Sequence, residues 1–206
     1  MMFSIFTDKT IGILLLGLMG LQGLFMMLSP GSVRIQKPEG GMIAWIYNIF
    51  NLVFLLVLPP LVACGLIGLP DVFRWTHWSL PRETAFFISR IIGVPVYILG
   101  CILIYWSRVV MGKSFRLGAV RPGREDRLVI SGPFQYVRHP MYTAVILMAI
   151  GLSFIGNSWF ILALALTFIV FIVRVIPIEE AQLEAAYKDE YQDLRSITWR
   201  LLPWIY

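Results

Sequence analysis

The sequence predicts an all-α, polytopic integral membrane protein with about five transmembrane helices, a C-terminal helical hairpin and a tail helix. Hydrophobic residues make up 58% of the 206 positions and charged residues 14%, with a mean hydropathy of +0.78. A soluble domain is about 45–50% apolar and about 25% charged. The second observation is that five stretches are apolar enough to cross a bilayer, which takes about 20 residues per helix. The chain is therefore predicted to be a single membrane domain, residues 1–206, with three spans in 1–106 and the loop, hairpin and tail in 107–206.

The five predicted spans are separated by polar segments, of which the 107–141 loop is the longest and Gly156-Asn157 the shortest. In chain order they are Thr10–Ser29, Met42–Leu69, Phe86–Trp106, Tyr142–Ile155 and Ser158–Ile176. The Gly156-Asn157 pair is typical of a tight turn, so the last two spans should form a hairpin. Pro59-Pro60 should kink the second stretch. The alternative is a span that ends near Leu58, followed by an interfacial or re-entrant segment.

The distribution of basic residues predicts the orientation in the membrane. With five spans, 13 of the 17 Lys and Arg residues lie on one side. Basic residues are enriched on the cytoplasmic side, so the 107–141 loop and the C-terminus are predicted to be cytoplasmic and the N-terminus outside. The basic residues on the cytoplasmic side are Arg34, Lys37, Arg108, Lys113, Arg116, Arg121, Arg124, Arg127, Arg138, Arg174, Lys188, Arg195 and Arg200. A basic rim beside anionic lipid explains the net charge of +5 without any nucleic-acid partner.

Cysteine and histidine are too few for a disulfide scaffold or a metal cluster. The chain has two cysteines and two histidines, and none of them are grouped at metal-ligand spacing, so no metal site is predicted. His77 lies in the outer loop 70–84, where the sequence shows no second polar partner at a useful spacing. A functional role is therefore not assigned to it.

Two polar segments meet on the predicted cytoplasmic side, and chemistry is expected where they meet. In the first, Pro140 is suited to the first turn of a helix and places His139 at the helix start, beside free N–H groups and the positive dipole end. A juxtamembrane basic anchor is the alternative interpretation. In the second, Pro177 is predicted to begin the tail helix, with Glu179 and Glu180 in its first turn. Helix-start chemistry is the alternative there, although acidic groups beside apolar spans often indicate a functional site.

The apolar residues of the tail recur at helical spacing. Leu183, Tyr187, Tyr191 and Leu194 are separated by four, four and three residues, which predicts one apolar stripe along a surface helix.

Together the two segments resemble the isoprenylcysteine carboxyl methyltransferase family and its phospholipid methyltransferase relatives. The matching motifs cover residues 112–203. They are Leu128-Val129, Gly132, Arg138-His139-Pro140-Met141-Tyr142, Glu179-Glu180, Glu190-Tyr191 and Arg200-Leu201-Leu202-Pro203.

The resemblance implies a membrane-embedded methyltransferase that uses S-adenosyl-L-methionine. The cofactor-binding residues that it implies are Arg127, Leu128, Val129, Phe134, His139, Pro140, Met141, Tyr142, Glu179 and Glu180. Glu179 or Glu180 would pair with the cofactor's ammonium group, and His139 with its carboxylate. Glu179 and Arg174 are the implied catalytic residues. Arg174 stands one position earlier than the family's substrate-binding arginine, and a kink at Pro177 would have to turn it inward.

The resemblance leaves the methyl acceptor open. Carboxyl O-methylation of an isoprenylcysteine-like substrate is the first expectation, and N-methylation of a phospholipid or methylation of another small apolar acceptor is the alternative. Either acceptor would be lipophilic and would enter from the lipid bilayer between spans. A membrane reductase and a non-enzymatic membrane protein are the two remaining interpretations, and cofactor binding distinguishes both from a methyltransferase.

Overall fold

The structure is a computed structural model that describes residues 7–28, 41–112 and 126–203, without the side chains of 26–28 and 82. Regular structure in these ranges is helical, with two isolated β-bridges and no strand. The end of the first predicted span at Ser29 lies outside the described residues. So do six of the basic residues that predict the orientation, namely Arg34, Lys37, Lys113, Arg116, Arg121 and Arg124.

Eight α-helices are present in the described ranges, and two short π-helical segments lie within the long apolar ones. The helices are α1 Asp8–Leu28, α2 Gly41–Leu52, α3 Leu58–Leu66, α4 Arg82–Phe87, α5 Val94–Met111, α6 Pro140–Ile155, α7 Trp159–Tyr187 and α8 Asp189–Ile197. The π-helical segments Val53–Val57 and Ile88–Gly93 join α2 to α3 and α4 to α5.

The predicted fold class is confirmed. In the described ranges, four helical stretches are long and apolar enough to cross a membrane: Asp8–Phe25, Gly41–Leu66, Glu83–Met111 and Trp159–Tyr187. The second runs through Pro59-Pro60 without a break, which agrees with a single tilted helix rather than a span that ends near Leu58. The fifth apolar helix, α6, has 16 residues. At a rise of about 1.5 Å per residue it is about 24 Å long, shorter than the hydrocarbon core of about 30 Å.

Helices α5 and α6 pack closely because small residues line their contact. A Cβ atom added at Gly100 would lie 2.6 Å from the Met148 side chain and 2.8 Å from the Ala144 carbonyl oxygen. One added at Gly151 would lie 2.6 Å from the backbone nitrogen of Tyr97. Small residues at helix contacts are typical of membrane proteins, where close backbone approach supplies the van der Waals packing that drives association. This contact fixes α6, which begins at the candidate site.

Helix α7 packs against α2 through a layer of aromatic rings. The Phe168 ring stacks on Phe54 at 5.3 Å and on Phe50 at 5.5 Å between ring centroids, and Tyr47 lies 5.9 Å from the same ring. Stacked rings at these distances add to the burial of apolar area. The layer brings α2, which lies outside the motif-bearing half of the chain, against the hairpin.

The prediction that Pro177 begins a tail helix is wrong. Pro177 lies inside α7, which continues to Tyr187, so Glu179 and Glu180 lie within a helix rather than in its first turn. A proline is tolerated inside an apolar helix when packing holds the helix together, and Ile172, Val175 and Ile176 are fully buried on one side of it.

The helix is interrupted instead at Lys188, between α7 and α8, where φ is +47°. The backbone N–H of Lys188 donates to the carbonyl of Glu184 at 2.9 Å. The predicted apolar stripe is therefore divided between two helices, with Leu183 and Tyr187 on α7 and Tyr191 and Leu194 on α8.

The loop 70–84 packs over the turn between α6 and α7. The backbone N–H of Trp78 donates to the Asn157 carbonyl at 2.7 Å, and the Thr76 and Ser158 hydroxyls lie 2.8 Å apart. The expectation that His77 has no polar partner is wrong, because its Nε2 lies 3.0 Å from a carboxylate oxygen of Asp71. The partner was missed because the loop folds back over six residues.

Candidate active site at the open end of the hairpin

The predicted site residues His139, Tyr142, Glu179 and Glu180 come together at the open end of the α6–α7 hairpin. Antiparallel packing places the start of α6 beside the last turns of α7, opposite the turn at Gly156-Asn157. This geometry follows from the hairpin itself, so residues about 40 positions apart in sequence become neighbours in space.

His139 is the N-cap residue of α6, as the sequence predicts. Its backbone carbonyl accepts from the N–H groups of Tyr142 at 3.1 Å and Thr143 at 3.2 Å, and Pro140 occupies the first helical position. The imidazole is buried, with only 4% of the side chain exposed. The ring therefore lies at the positive end of a helix dipole, where anionic groups are stabilised.

Tyr142 holds the Glu179 carboxylate. The phenol donates to Oε2 of Glu179 at 2.5 Å, and Nδ1 of His139 lies 3.9 Å from the same oxygen. The Tyr142 ring lies between the His139 ring, stacked at 5.4 Å, and the Tyr47 ring, edge-on at 5.3 Å. The Glu179 side chain is 26% exposed. Its carboxylate is thus oriented by the protein and still accessible to a ligand.

Glu180 differs from its neighbour because two arginines pair with its carboxylate. Nε of Arg138 lies 3.0 Å from Oε1, and Nη2 of Arg200 lies 2.8 Å from Oε2. Nε2 of His139 lies 3.5 Å from Oε1, an ion-pair distance rather than a hydrogen bond. The Glu180 side chain is 7% exposed. A buried carboxylate of this kind requires such partners, because desolvation without them is costly.

Arg138 joins the start of α6 to the C-terminal segment Thr198–Leu201. Its guanidinium donates to the carbonyl oxygens of Thr198 and Arg195. Two backbone hydrogen bonds join the same parts of the chain. The backbone N–H of Arg138 donates to the Trp199 carbonyl at 2.7 Å, and that of His139 donates to the Arg200 carbonyl at 3.0 Å. Val137 and Trp199 form a parallel β-bridge. The C-terminal segment is thereby held along the side of the site.

Tyr191 of α8 lies against this network. Burial, and next the negative charge of Glu180, raise the pKa of the Tyr191 phenol above its usual range. The phenol therefore stays neutral at physiological pH and contributes packing rather than charge.

The remaining predicted cofactor residues lie on the segment before α6 or in its first turn. Phe134 and Pro140 are buried, and Met141, Leu128 and Val129 are half-buried. Arg127 is exposed on the extended stretch that precedes the 3-10 turn Gly132–Gln135.

Arg174 is not brought into this cluster. It is exposed on α7, whereas the next two residues, Val175 and Ile176, are fully buried. Five residues along a helix turn the direction by about 140°, so Arg174 and Glu179 face different sides of α7. The helix continues through Pro177, and no inward turn of Arg174 occurs there.

Three residues of the site were not predicted from the sequence. Arg138 and Arg200 belong to motifs that the sequence shows, but nothing in their spacing indicates that both pair with Glu180. Tyr47 comes from a plain apolar span and has no sequence signal of any kind.

Comparison with known protein families gives a match in the half of the chain that contains the candidate site. A family model described as phospholipid methyltransferase matches residues 88–190, which include α5 to α7 and the start of α8. No curated protein gives a significant match.

Among solved structures, the fold is similar to that of a eukaryotic intramembrane Ras methyltransferase, ICMT (isoprenylcysteine carboxyl methyltransferase). The TM-score is 0.54 and the sequence identity 22%, and the match covers 79% of this chain and 50% of that chain. This chain thus spans about half the length of the solved structure that it matches.

Proposed function

Because the chain belongs to the phospholipid methyltransferase family, we propose that it transfers a methyl group from S-adenosyl-L-methionine to a lipophilic acceptor in the membrane. The observation on which this rests most is the Glu179 carboxylate. It is oriented by the Tyr142 phenol at 2.5 Å, lies beside the buried His139, and remains partly exposed at the open end of an apolar hairpin.

The residues present fit the polar groups of S-adenosylmethionine. Glu179 accepts one hydrogen bond from Tyr142 and keeps acceptor capacity for an ammonium group. His139 and the start of α6 offer a positive dipole end to a carboxylate. Leu128, Val129, Phe134, Pro140 and Met141 are apolar side chains suited to the rest of the ligand, and Arg127 lies at the exposed edge.

When bound, S-adenosylmethionine supplies an electrophilic methyl group and its own leaving group. The contribution of the protein is to hold the two reactants in line and to exclude water. Tyr142 keeps the Glu179 carboxylate in one position, and the buried ring of His139 is packed against Tyr142. An acceptor that lives in the bilayer would reach this end of the hairpin laterally, between spans.

The first candidate acceptor is the carboxylate of an isoprenylcysteine-like substrate. A carboxylate is already ionised at neutral pH and needs no general base. In this proposal Arg174, exposed at the end of the last span, meets the acceptor carboxylate from the bilayer side.

The second candidate is the amine of a phospholipid headgroup, and one observation favours it. Arg138 and Arg200, the two arginines that contact the glutamate pair, are both engaged in ion pairs with Glu180 rather than placed to clamp an acceptor carboxylate. An ammonium acceptor needs a base to lose its proton, and in this proposal Glu179 or His139 would be that base.

We also propose the orientation that the basic residues predict, with the N-terminus outside and the C-terminus cytoplasmic. S-adenosylmethionine is water-soluble, so its site should face the cytoplasm. The open end of the hairpin lies on the same side as the C-terminal segment, and the turn at Gly156-Asn157 lies on the other.

The test is radiolabelled methyl transfer from S-adenosylmethionine by detergent-solubilised protein, with prenylcysteine analogues and phospholipids as the acceptor panel. We expect label in one acceptor class and a large loss in Glu179→Gln, with Glu184→Gln as the matched control on the same helix. Label in neither class, with no binding of the cofactor, would contradict the proposal. Label in prenylcysteine or in phospholipid identifies the acceptor.

A further inference from the structure

The two adjacent glutamates have different environments although the sequence presents them as a pair. The Glu179 side chain is 26% exposed and accepts one hydrogen bond, from Tyr142. The Glu180 side chain is 7% exposed, and Arg200 alone makes contacts of 2.8, 3.0 and 3.2 Å to its two oxygens. Nε of Arg138 donates to Oε1 of Glu180 at 3.0 Å as well, so both carboxylate oxygens already accept hydrogen bonds from the protein.

Glu180 also joins three parts of the chain that are distant in sequence. It lies in the last turns of α7, Arg138 lies just before α6, and Arg200 lies in the C-terminal segment. Around it, the backbone bonds from Arg138 and His139 to that segment, and the bond of 2.8 Å from the Thr143 hydroxyl to the Leu201 carbonyl, run in register. Removal of the carboxylate would leave two cations facing each other on the two sides of this contact.

His139 lies between the two glutamates. Its Nε2 lies 3.5 Å from Glu180 and its Nδ1 lies 3.9 Å from Glu179. Its backbone N–H donates to the backbone carbonyl of Arg200. A change at Glu180 would therefore reach His139 through both the ring and the backbone.

We propose that Glu180 is a positioning residue that closes an Arg138–Glu180–Arg200 clasp, and that Glu179 alone of the pair binds the ligand. The clasp fixes the C-terminal segment Thr198–Leu201 as a wall of the site and sets the orientation of His139. The inference rests on the proposed function for the ligand of Glu179, but the clasp itself is a property of the ligand-free protein. Arg200 and the segment lie beyond residue 190, where the family match ends.

Two measurements on the ligand-free protein in detergent test the clasp. The chain has two histidines, so a His77→Gln background with labelled histidine leaves His139 as the single imidazole signal in an NMR spectrum. The second measurement is the rate of tryptic cleavage after Arg200, followed by mass spectrometry. Glu180→Gln should displace the His139 resonances and speed this cleavage by at least about tenfold, since a lost charged partner corresponds to about 10- to 150-fold.

Glu184→Gln is the matched control. Glu184 lies one turn further along α7, and its partner Arg195 at 3.9 Å is 51% exposed, so the pair is weak. We expect wild-type His139 resonances and wild-type cleavage after Arg200. Glu179→Gln should also leave this cleavage unchanged.

A double variant keeps the test decisive if Glu180→Gln does not fold. Glu180→Gln with Arg200→Gln removes one charge of each sign, and Arg138 keeps its carbonyl acceptors at Arg195 of α8 and Thr198 of the C-terminal segment. If the two residues act as one unit, the double variant should lose no more S-adenosylmethionine affinity than Arg200→Gln alone. Arg200→Lys, which keeps an ion pair, should restore most of what Arg200→Gln loses.

The proposal is overturned if Glu180→Gln leaves the His139 resonances and the cleavage unchanged but weakens S-adenosylmethionine binding as much as Glu179→Gln does. A double variant that binds S-adenosylmethionine much more weakly than Arg200→Gln alone would overturn it as well. If the wild-type protein binds no S-adenosylmethionine, the proposed function fails, while the two ligand-free measurements still decide the clasp.

Discussion

The two ends of the α6–α7 hairpin are both closed by polar contacts, but the contacts differ in kind. At the turn, neutral groups meet: the Ser158 hydroxyl accepts from the Ile161 N–H at 3.3 Å and lies 2.8 Å from the Thr76 hydroxyl. At the open end, the contacts are ionic, and Glu180 is held by two arginines. The turn satisfies its own backbone, while the open end also carries a partly exposed carboxylate, Glu179.

The difference shows which polar residues in an apolar helical protein point to chemistry. Hydrogen bonds at the turn are what any helix end needs, because the first N–H groups of a helix lack partners within it. Buried charges such as the Glu180 carboxylate are costly unless they are paired, so they need a reason beyond capping. This contrast supports the proposal that the function lies at the open end, while the contacts at the turn are those that a helix end needs for stability.

The sharpest contrast between the two ends concerns the side of the membrane that each one faces. In a variant without Cys64 and Cys101, a single cysteine at Gln135 should react with a membrane-impermeant thiol reagent only from the cytoplasm. A single cysteine at Trp75, whose residue is 93% exposed, should react only from outside. Accessibility of both from the same side would contradict the hairpin orientation, and reversed labelling would contradict the proposed site of cofactor access.

The second largest effect should be on stability. Glu180→Gln leaves two arginines without their shared partner, and breaking a buried ion pair from one side costs about 3–5 kcal/mol. Ser158→Ala, at the other end, removes an N-cap and should cost about 1 kcal/mol. Unfolding in a detergent titration measures both, and equal losses at the two ends would remove the distinction drawn between them.

The third effect should be on ligand binding rather than stability. Glu179→Gln and His139→Ala should each weaken S-adenosylmethionine binding by about 1.5–3 kcal/mol, because each removes a hydrogen-bond partner of a charged group of the ligand. Calorimetry measures this, and Ser158→Ala should bind with wild-type affinity. Unchanged affinity in both site variants would contradict a cofactor site at these residues and would leave a basic juxtamembrane anchor as the explanation of the motif around His139.

The smallest effect is expected for Arg174→Lys. Arg174 is exposed on a different side of α7 from Glu179, and lysine can extend to the headgroups in the same way. Stability should change by less than about 0.5 kcal/mol, and cofactor affinity should be unchanged. Turnover then distinguishes the acceptors: a carboxylate acceptor clamped by a two-pronged guanidinium should be methylated more slowly by the lysine variant, and an amine acceptor at the wild-type rate.

Local chemistry explains what was predictable about the fold. Composition and apolar run length are sums over neighbouring residues, so they identify the membrane class and the approximate spans without any tertiary contact. The start of α6 at Pro140 with His139 as its cap is predictable for the same reason, since a helix start depends on a few adjacent residues. The hairpin turn at Gly156-Asn157 is also predictable from a few adjacent residues.

Local chemistry failed where distant segments decide the outcome. Pro177 is a helix-starting residue in isolation, yet packing of Ile172, Val175 and Ile176 continues α7 through it. The break falls instead at Lys188, which adopts a positive φ that its sequence does not announce.

The sequence by itself determined the class of protein, the order of its helices and the residue types gathered at the open end of the hairpin. Only the tertiary structure decided that Glu180 pairs with two arginines while Glu179 stays partly exposed. Arg138 stands 42 residues before Glu180 and Arg200 stands 20 after it, and the fold brings both to that one carboxylate. Their pairing depends on the fold because the ion pairs join three separate segments, and no property of adjacent residues distinguishes Glu179 from Glu180.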